Sequence, residues 1–226
     1  MKKVMFGIAC LSLAATLSGC SLLNKINELI EGGEEVPISK TESKSRLISL
    51  GETSGVSLTY SYEDHDEEDV ESGTIEFGMK ENVVWFIVDD ADGGAFVKEN
   101  DSYIKYDFDG TAFVLNDEET YTQEDYNTLI DRGTEYLFFA HSLNGALKSA
   151  GEETYLGRDC YKYNFLFSDV LSTLKVNMDM ELLVDKDLGI TLKVLAEGET
   201  TDDSVMLNMS ISSFLTGDAV HAPTLG

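Results

Sequence analysis

From Val56 to Ile211 most of the chain alternates apolar and polar residues with a period of two, the pattern of strands with one buried face. Val56, Leu58, Tyr60 and Tyr62 alternate with Ser57, Thr59 and Ser61, and after an acidic loop from Glu63 to Glu71 the period resumes at Ile75, Phe77 and Met79. The apolar run Val83 to Val88, around Trp85, predicts one strand covered on both faces, joined to its predecessor by a hairpin at Glu81 and Asn82. Ala95 to Lys98, then Ile104, Tyr106 and Phe108, then Ala112 to Leu115 predict three further strands, with Asp109 and Gly110 suited to a two-residue type I′ turn. Later, Tyr161, Tyr163, Phe165 and Phe167 form one alternating set, and Leu174, Val176, Met178, Met180, Leu182 and Val184 a second. Ile190, Leu192, Val194 and Ala196 return after a turn at Asp187, Leu188 and Gly189, and Val205, Leu207, Met209 and Ile211 close the series.

Residues 122–151 break this pattern. Thr122 with Asp125 has the spacing of a capping box, and Tyr126, Leu129 and Ile130 make a helical face that stops near Gly133. A second helix is expected from Thr134, with Tyr136, Phe139, Ala140, Leu143 and Leu147 on one stripe and Gly151 as its cap. The expected fold is mainly β with this helical insert: a curved antiparallel sheet, a half-barrel of roughly 10–11 strands, with the helices on its concave face. A β-sandwich satisfies the same periodicity by covering one sheet with another. One β-rich domain over 54–216 is expected, with a loose tail at 217–226.

The amino-terminal stretch follows a different logic. Lys2 and Lys3 precede a run from Val4 to Leu17 without a charged residue, too short for a stable membrane span. The Leu17-Ser18-Gly19-Cys20 sequence that ends it resembles the lipobox of bacterial lipoproteins. That resemblance implies a signal peptide over 1–19, cleavage between Gly19 and Cys20, and acylation of the Cys20 thiol, palmitate among the acyl groups. Residues 20–53 are then anchor, short helix and tether: Leu22, Leu23, Ile26, Leu29 and Ile30 have helical spacing, and the polar stretch to Thr53 contains Pro37, with Ser45 to Leu50 as an alternative short helix or strand entering the fold.

Charge narrows the partners. Removal of Lys2 and Lys3 with the leader takes 16 basic residues to 14 against 42 acidic ones, and the formal charge from −26 to −28. Such a field opposes nucleic acid and anionic headgroups, so membrane attachment is expected through acyl chains rather than a basic patch. Of three cysteines, Cys10 leaves with the leader and Cys20 is expected to be acylated, so Cys160 has no partner for an internal disulfide.

Catalytic signals are weak. His65, His141 and His221 fall in an acidic loop, a helix and the tail, without a Gly-x-Ser-x-Gly elbow or a His-Glu-x-x-His run, so no enzyme, cofactor or metal centre is expected. Asp89, Asp90 and Asp92 are followed by Gly93 and Gly94 where an EF-hand needs oxygen ligands, which favours a solvated loop. Cys160 lacks a resolving cysteine and reads as a structural thiol.

Two further stretches resemble a known superfamily: Tyr155-Leu156-Gly157-Arg158-Asp159-Cys160-Tyr161-Lys162-Tyr163, and the hairpin from Leu183 to Lys193. They are similar to the lipoprotein carriers of the LolA, LolB and LppX type. The resemblance implies a non-enzymatic, membrane-anchored protein on the exported side of the cell envelope, binding a lipid or acyl chain in the concave face of its sheet. Tyr136, Phe139, Leu143, Tyr161, Tyr163, Phe165, Met178, Met180 and Met209 are the expected lining, since rings and thioethers adapt to acyl chains. The competing expectation is an envelope-structural or protein-interaction module with a filled core.

Overall fold

The computed structural model describes residues 33–66, 69–100, 102–166, 177–199 and 204–226. The lipobox with Gly19 and Cys20, the helix expected over 22–30, and Phe167, Leu174 and Val176 lie outside the described residues. No helix among the described residues is long and apolar enough to cross a membrane.

In chain order the elements are α1 (Lys40–Thr53), β1 (Val56–Asp66), β2 (Asp69–Lys80), β3 (Val83–Val88), β4 (Asp92–Glu99), β5 (Ser102–Phe108) and β6 (Phe113–Tyr121). There follow α2 (Gln123–Thr134), a 3-10 segment (Glu135–Phe138), α3 (Phe139–Ser142), β7 (Lys148–Tyr155), β8 (Arg158–Leu166), β9 (Asn177–Asp185), β10 (Thr191–Glu199) and β11 (Ser204–Thr216). Among the described residues the strands form one open, antiparallel, 11-stranded sheet in the order β6-β5-β4-β3-β2-β1-β11-β10-β9-β8-β7. A single sheet removes the sandwich alternative. Its two edge strands, β6 and β7, are consecutive in the chain and joined by the helical segment.

Residue contacts cluster in two units. The Trp85 unit comprises Ile38–Tyr62, Gly73–Phe138 and Ser210–Gly226; the Cys160 unit comprises Glu63–Ser72, Phe139–Met209 and the described part of Met1–Pro37.

In the Trp85 unit the register Phe77↔Phe86 and Met79↔Val84↔Phe96 sets one apolar face, and Trp85↔Ala95↔Tyr106↔Leu115 sets the other. Val83–Val88 is therefore a two-faced strand, as its continuous apolar run predicts. Helices α1 and α2 press on the first face through glycines. A Cβ at Gly51 would lie 2.6 Å from Met79 Sδ, and one at Gly133 would lie 2.4 Å from Phe77 Cδ2. Thr122 caps α2 in a full capping box with Asp125. The second face holds Trp85, Ala95, Phe113 and Val220 in a buried cluster with Leu225 packed against it. The carboxyl-terminal stretch, expected to be loose, is thus ordered: Lys80 Nζ donates to Val220 O at 2.6 Å and Gly226 N to Phe113 O at 3.1 Å.

The β5–β6 connection is longer than the expected two-residue turn. Asp109 N donates to Ala112 O, and Asp109 Oδ1 accepts from the N–H groups of Thr111 and Ala112, so the side chain closes a four-residue loop.

In the Cys160 unit the segment before α1 is pinned. Glu34 N donates to Leu147 O at 2.7 Å, Gly145 N to Glu34 O at 3.0 Å, and Val36 N to Asn144 Oδ1 at 3.0 Å. The second helix expected from Thr134 does not run through to Gly151. A 3-10 turn replaces its start, α3 covers one turn only, and Lys148 to Tyr155 is strand β7, with Gly151 at a register shift and φ +110°.

Candidate functional site

The apolar face of the Cys160 unit follows from its register. Tyr161, Tyr163 and Phe165 on β8 lie opposite Val184, Leu182 and Met180 on β9, and β10 continues the rows with Thr191, Val194 and Ala196. Directly paired residues share a face, so five side chains from three strands, Tyr163, Phe165, Met180, Leu182 and Val194, form one patch. All five are buried. Tyr161 sits half-buried at the end of the patch, its ring 6.2 Å from that of Tyr163 and 5.1 Å from Lys186 Nζ.

A short helical turn meets this face. Ala140 N, in α3, donates to Thr191 Oγ1 at 3.0 Å, and Thr191 is opposite Val184. The bond fixes the Phe139–Ser142 turn on the same face as the aromatic row. Leu143 and Leu147 are buried, whereas Phe139 is only half-buried. Leu137 and Phe138, absent from the expected stripe, are buried in the Trp85 unit. The reason is geometric: a 3-10 segment advances three residues per turn rather than 3.6, so an α-helical count from Tyr136 assigns the wrong residues to the inner side.

Each expected lining residue can now be placed. Register unites Tyr161, Tyr163, Phe165 and Met180, and the Ala140–Thr191 bond brings the Phe139–Leu143 segment to their face. Met209 is buried on β11. The side chain of Met178 lies outside the described residues. Tyr136 belongs to the Trp85 unit, where its ring centroid lies 6.1 Å from that of Tyr60. Tyr60 itself, on the apolar side of β1, was not among the expected lining residues, although its place in the Val56, Leu58, Tyr60 alternation marks it as inward-facing.

The opposite face of β8 and β9 is electrostatic. Cys160 pairs with Asp185, so the two stretches that resemble the lipoprotein carriers are adjacent strands. Arg158 binds Asp185 through Nε and through Nη2, the latter at 3.1 Å. Asp185 Oδ1 also accepts from Asp187 N at 3.0 Å and Leu188 N at 2.7 Å. Burial opposes the Arg158 charge, but the hydrogen bonds and charge of Asp185 outweigh it and raise the guanidinium above its ordinary range. Burial first, then Asp185, pushes the Cys160 thiol up to about 11. At neutral pH it is a thiol, not a nucleophilic thiolate.

On the apolar face, burial pushes the Tyr163 phenol up to about 12, with Glu34 and Tyr161 adding to it. The Tyr163 phenol is therefore neutral near pH 7 and sits in a patch otherwise built of hydrocarbon, ring and thioether. The acidic turn is used locally: Asp89 Oδ1 accepts from Thr74 N at 2.7 Å and Asp92 Oδ1 from Gly93 N at 2.8 Å. Among the described residues no group of His, Cys, Asp and Glu is arranged to hold a metal ion. The side chain of His65 lies outside the described residues.

No family model matches the chain, and no curated protein matches it by sequence. Solved structures do. The MucA/MucB complex of Pseudomonas aeruginosa is similar at 12% identity and a TM-score of 0.34, over 80% of this chain and 58% of that one. The lipoprotein LppX of Mycobacterium tuberculosis is similar at 12% identity and a TM-score of 0.29, over 79% of this chain and 96% of that one. An outer-membrane lipoprotein-sorting protein domain from Vibrio parahaemolyticus is similar at 9% identity and a TM-score of 0.26, over 79% and 92%. The chain spans about three fifths of the length of the MucB chains that it matches.

Proposed function

We propose that this protein is a non-enzymatic bacterial lipoprotein, held on the exported side of the cell envelope by acyl chains on Cys20, that binds a lipid or acyl chain against the apolar face of its sheet. The observation that carries the ligand half of this reading is the helical turn. A patch built from Tyr163, Phe165, Met180, Leu182 and Val194 is met by a short helical turn tied down through Ala140 and Thr191, not by a second sheet. A single turn makes few contacts and opens at lower cost than a sheet pairing, so an acyl chain can replace it. The anchor half rests on the Leu17-Ser18-Gly19-Cys20 motif. Each buried methylene contributes about 0.8 kcal/mol, so two or three acyl chains hold an acidic protein without any basic surface.

A second reading draws support from burial. The patch is already covered by the chain's own residues, as an interaction or envelope-structural module with a filled core requires. Native mass spectrometry of the full chain purified from membranes separates the two. The carrier reading expects acyl lipid bound non-covalently, beyond the mass of the Cys20 modification, and uptake of a fluorescent fatty acid by the stripped protein. Absence of both leaves the filled-core module.

A further inference from the structure

Tyr60 lies on β1 in line with Val56 and Leu58, and all three side chains are buried. Its hydroxyl is sealed from solvent and has no hydrogen-bond partner among the described residues. Buried phenols almost always find one, because the polar atom has lost its water and gained nothing in return. The neighbouring aromatic group is Tyr136, at 6.1 Å between centroids and 57° between planes. Tyr136 is held in the four-residue 3-10 segment Glu135–Phe138, which has poorer hydrogen-bond geometry than the α-helix before it. A sealed polar atom thus belongs to a ring whose aromatic neighbour is only half-buried.

We propose that Tyr60 Oη is the polar contact of a ligand site within the Trp85 unit, donating a hydrogen bond to an uncharged carbonyl oxygen, that of an ester-linked acyl chain. The inference rests on the reading above that this chain binds apolar ligands, and it adds a site of its own in the Trp85 unit with a stated head chemistry. The surroundings select a neutral acceptor. Val56 and Leu58 supply hydrocarbon, and Glu135, together with Tyr62, bears on the Tyr136 phenol and raises it further above the level set by burial. An anionic carboxylate placed there gives up its water among hydrocarbon, whereas an alkane leaves the hydroxyl as unsatisfied as before. Burial also holds the Tyr60 phenol protonated, well above its ordinary range, so it is a donor at every pH the protein meets.

Equilibrium binding of radiolabelled methyl palmitate, palmitate and an alkane of matched length to the full chain, held in an amphipathic polymer, tests this. The wild type binds the ester about tenfold tighter than the alkane, the discrimination of one well-made hydrogen bond. Tyr60→Phe loses that preference, keeps its affinity for the alkane, and unfolds at the same or a higher temperature when empty, because the orphan hydroxyl is gone. Equal affinities of the wild type for ester and alkane overturn the proposal without recourse to a variant. So does an ester affinity unchanged by Tyr60→Phe, the result expected if an ordered water fills the role, or a preference for the palmitate anion. Binding of none of the three overturns the apolar-ligand reading itself, and the inference falls with it.

Discussion

Asp185 shows how much one carboxylate can organise. It is 1% exposed, binds Arg158 through both oxygens, and receives the two N–H groups of the tight turn that begins β10. Removing it takes from the guanidinium its buried partner, leaving the 91% exposed Asp187 at 3.8 Å, and takes from the turn its carboxylate acceptor, in a place water reaches poorly, because the Arg158 side chain is itself only 22% exposed. Asp185→Ala is expected to cost about 3 kcal/mol, from the penalty of breaking a buried, hydrogen-bonded ion pair on one side. Asp185→Asn, which keeps an acceptor for the turn, is expected to cost about half of that. Urea unfolding of the two variants beside the wild type checks the order. An Asp185→Ala protein of unchanged midpoint would mean that the pair merely offsets its own desolvation. Both residues were visible in the sequence as parts of two resembling stretches; that they touch was not, because contact depends on the β8–β9 register and not on either stretch alone.

At the scale of elements, the helices are docked by what they lack. α2 buries Tyr126, Leu129, Ile130, Gly133 and Thr134, and at Gly133 the helix backbone comes so close to Phe77 that a methyl group would overlap the ring. Alanine gains up to about 1 kcal/mol of helix propensity over glycine, but Phe77 is 1% exposed and has nowhere to move. Overpacking costs about 1–3 kcal/mol, so Gly133→Ala is expected to destabilise by about 1–2 kcal/mol, measured as a lowered thermal midpoint; a raised midpoint would show that α2 shifts freely on the sheet. The same docking explains why α1 was legible only as an alternative to a tether, a short helix or strand over Ser45 to Leu50. Its buried positions are Ser43, Leu47 and Gly51, two of them too small to register as an apolar face. β7 escaped for the opposite reason: as an edge strand it exposes nearly all of Lys148–Tyr155, so no alternation marks it. The ten strands with one or two apolar faces were legible, as was the Thr122–Asp125 cap, because their signal is local. The closure of β1 on β11 joins residues far apart in the chain, and no local pattern reports it.

Across the whole molecule, alkaline pH probes both units at once. Burial raises Tyr60 well above its ordinary value and, with Glu52 and Tyr103 adding to it, takes Tyr126 to about 12 in the Trp85 unit; in the Cys160 unit Tyr163 also reaches about 12. An unfolded chain loses these phenol protons near pH 10, the folded chain about two pH units later at Tyr126 and Tyr163. Between those values the unfolded state binds fewer protons than the folded one, so stability falls as pH rises. Their contribution is therefore complete below about pH 10 and lost between about pH 10 and 12. Lys162, raised by Glu181, and Lys186, raised by Glu152, act in the same direction, since each gains a partner only in the folded state. A chain with so large an excess of acidic residues also repels itself more as its lysines discharge. The tyrosines can be separated from this background. Urea midpoints at pH 8, 10 and 12 are expected to fall steeply over the last interval for the wild type and less steeply for a Tyr126→Phe, Tyr163→Phe double variant, which keeps every lysine and loses only the two buried phenols. Parallel falls in the two proteins would clear Tyr126 and Tyr163 of any part in the alkaline loss and leave it to the surface charge and Tyr60.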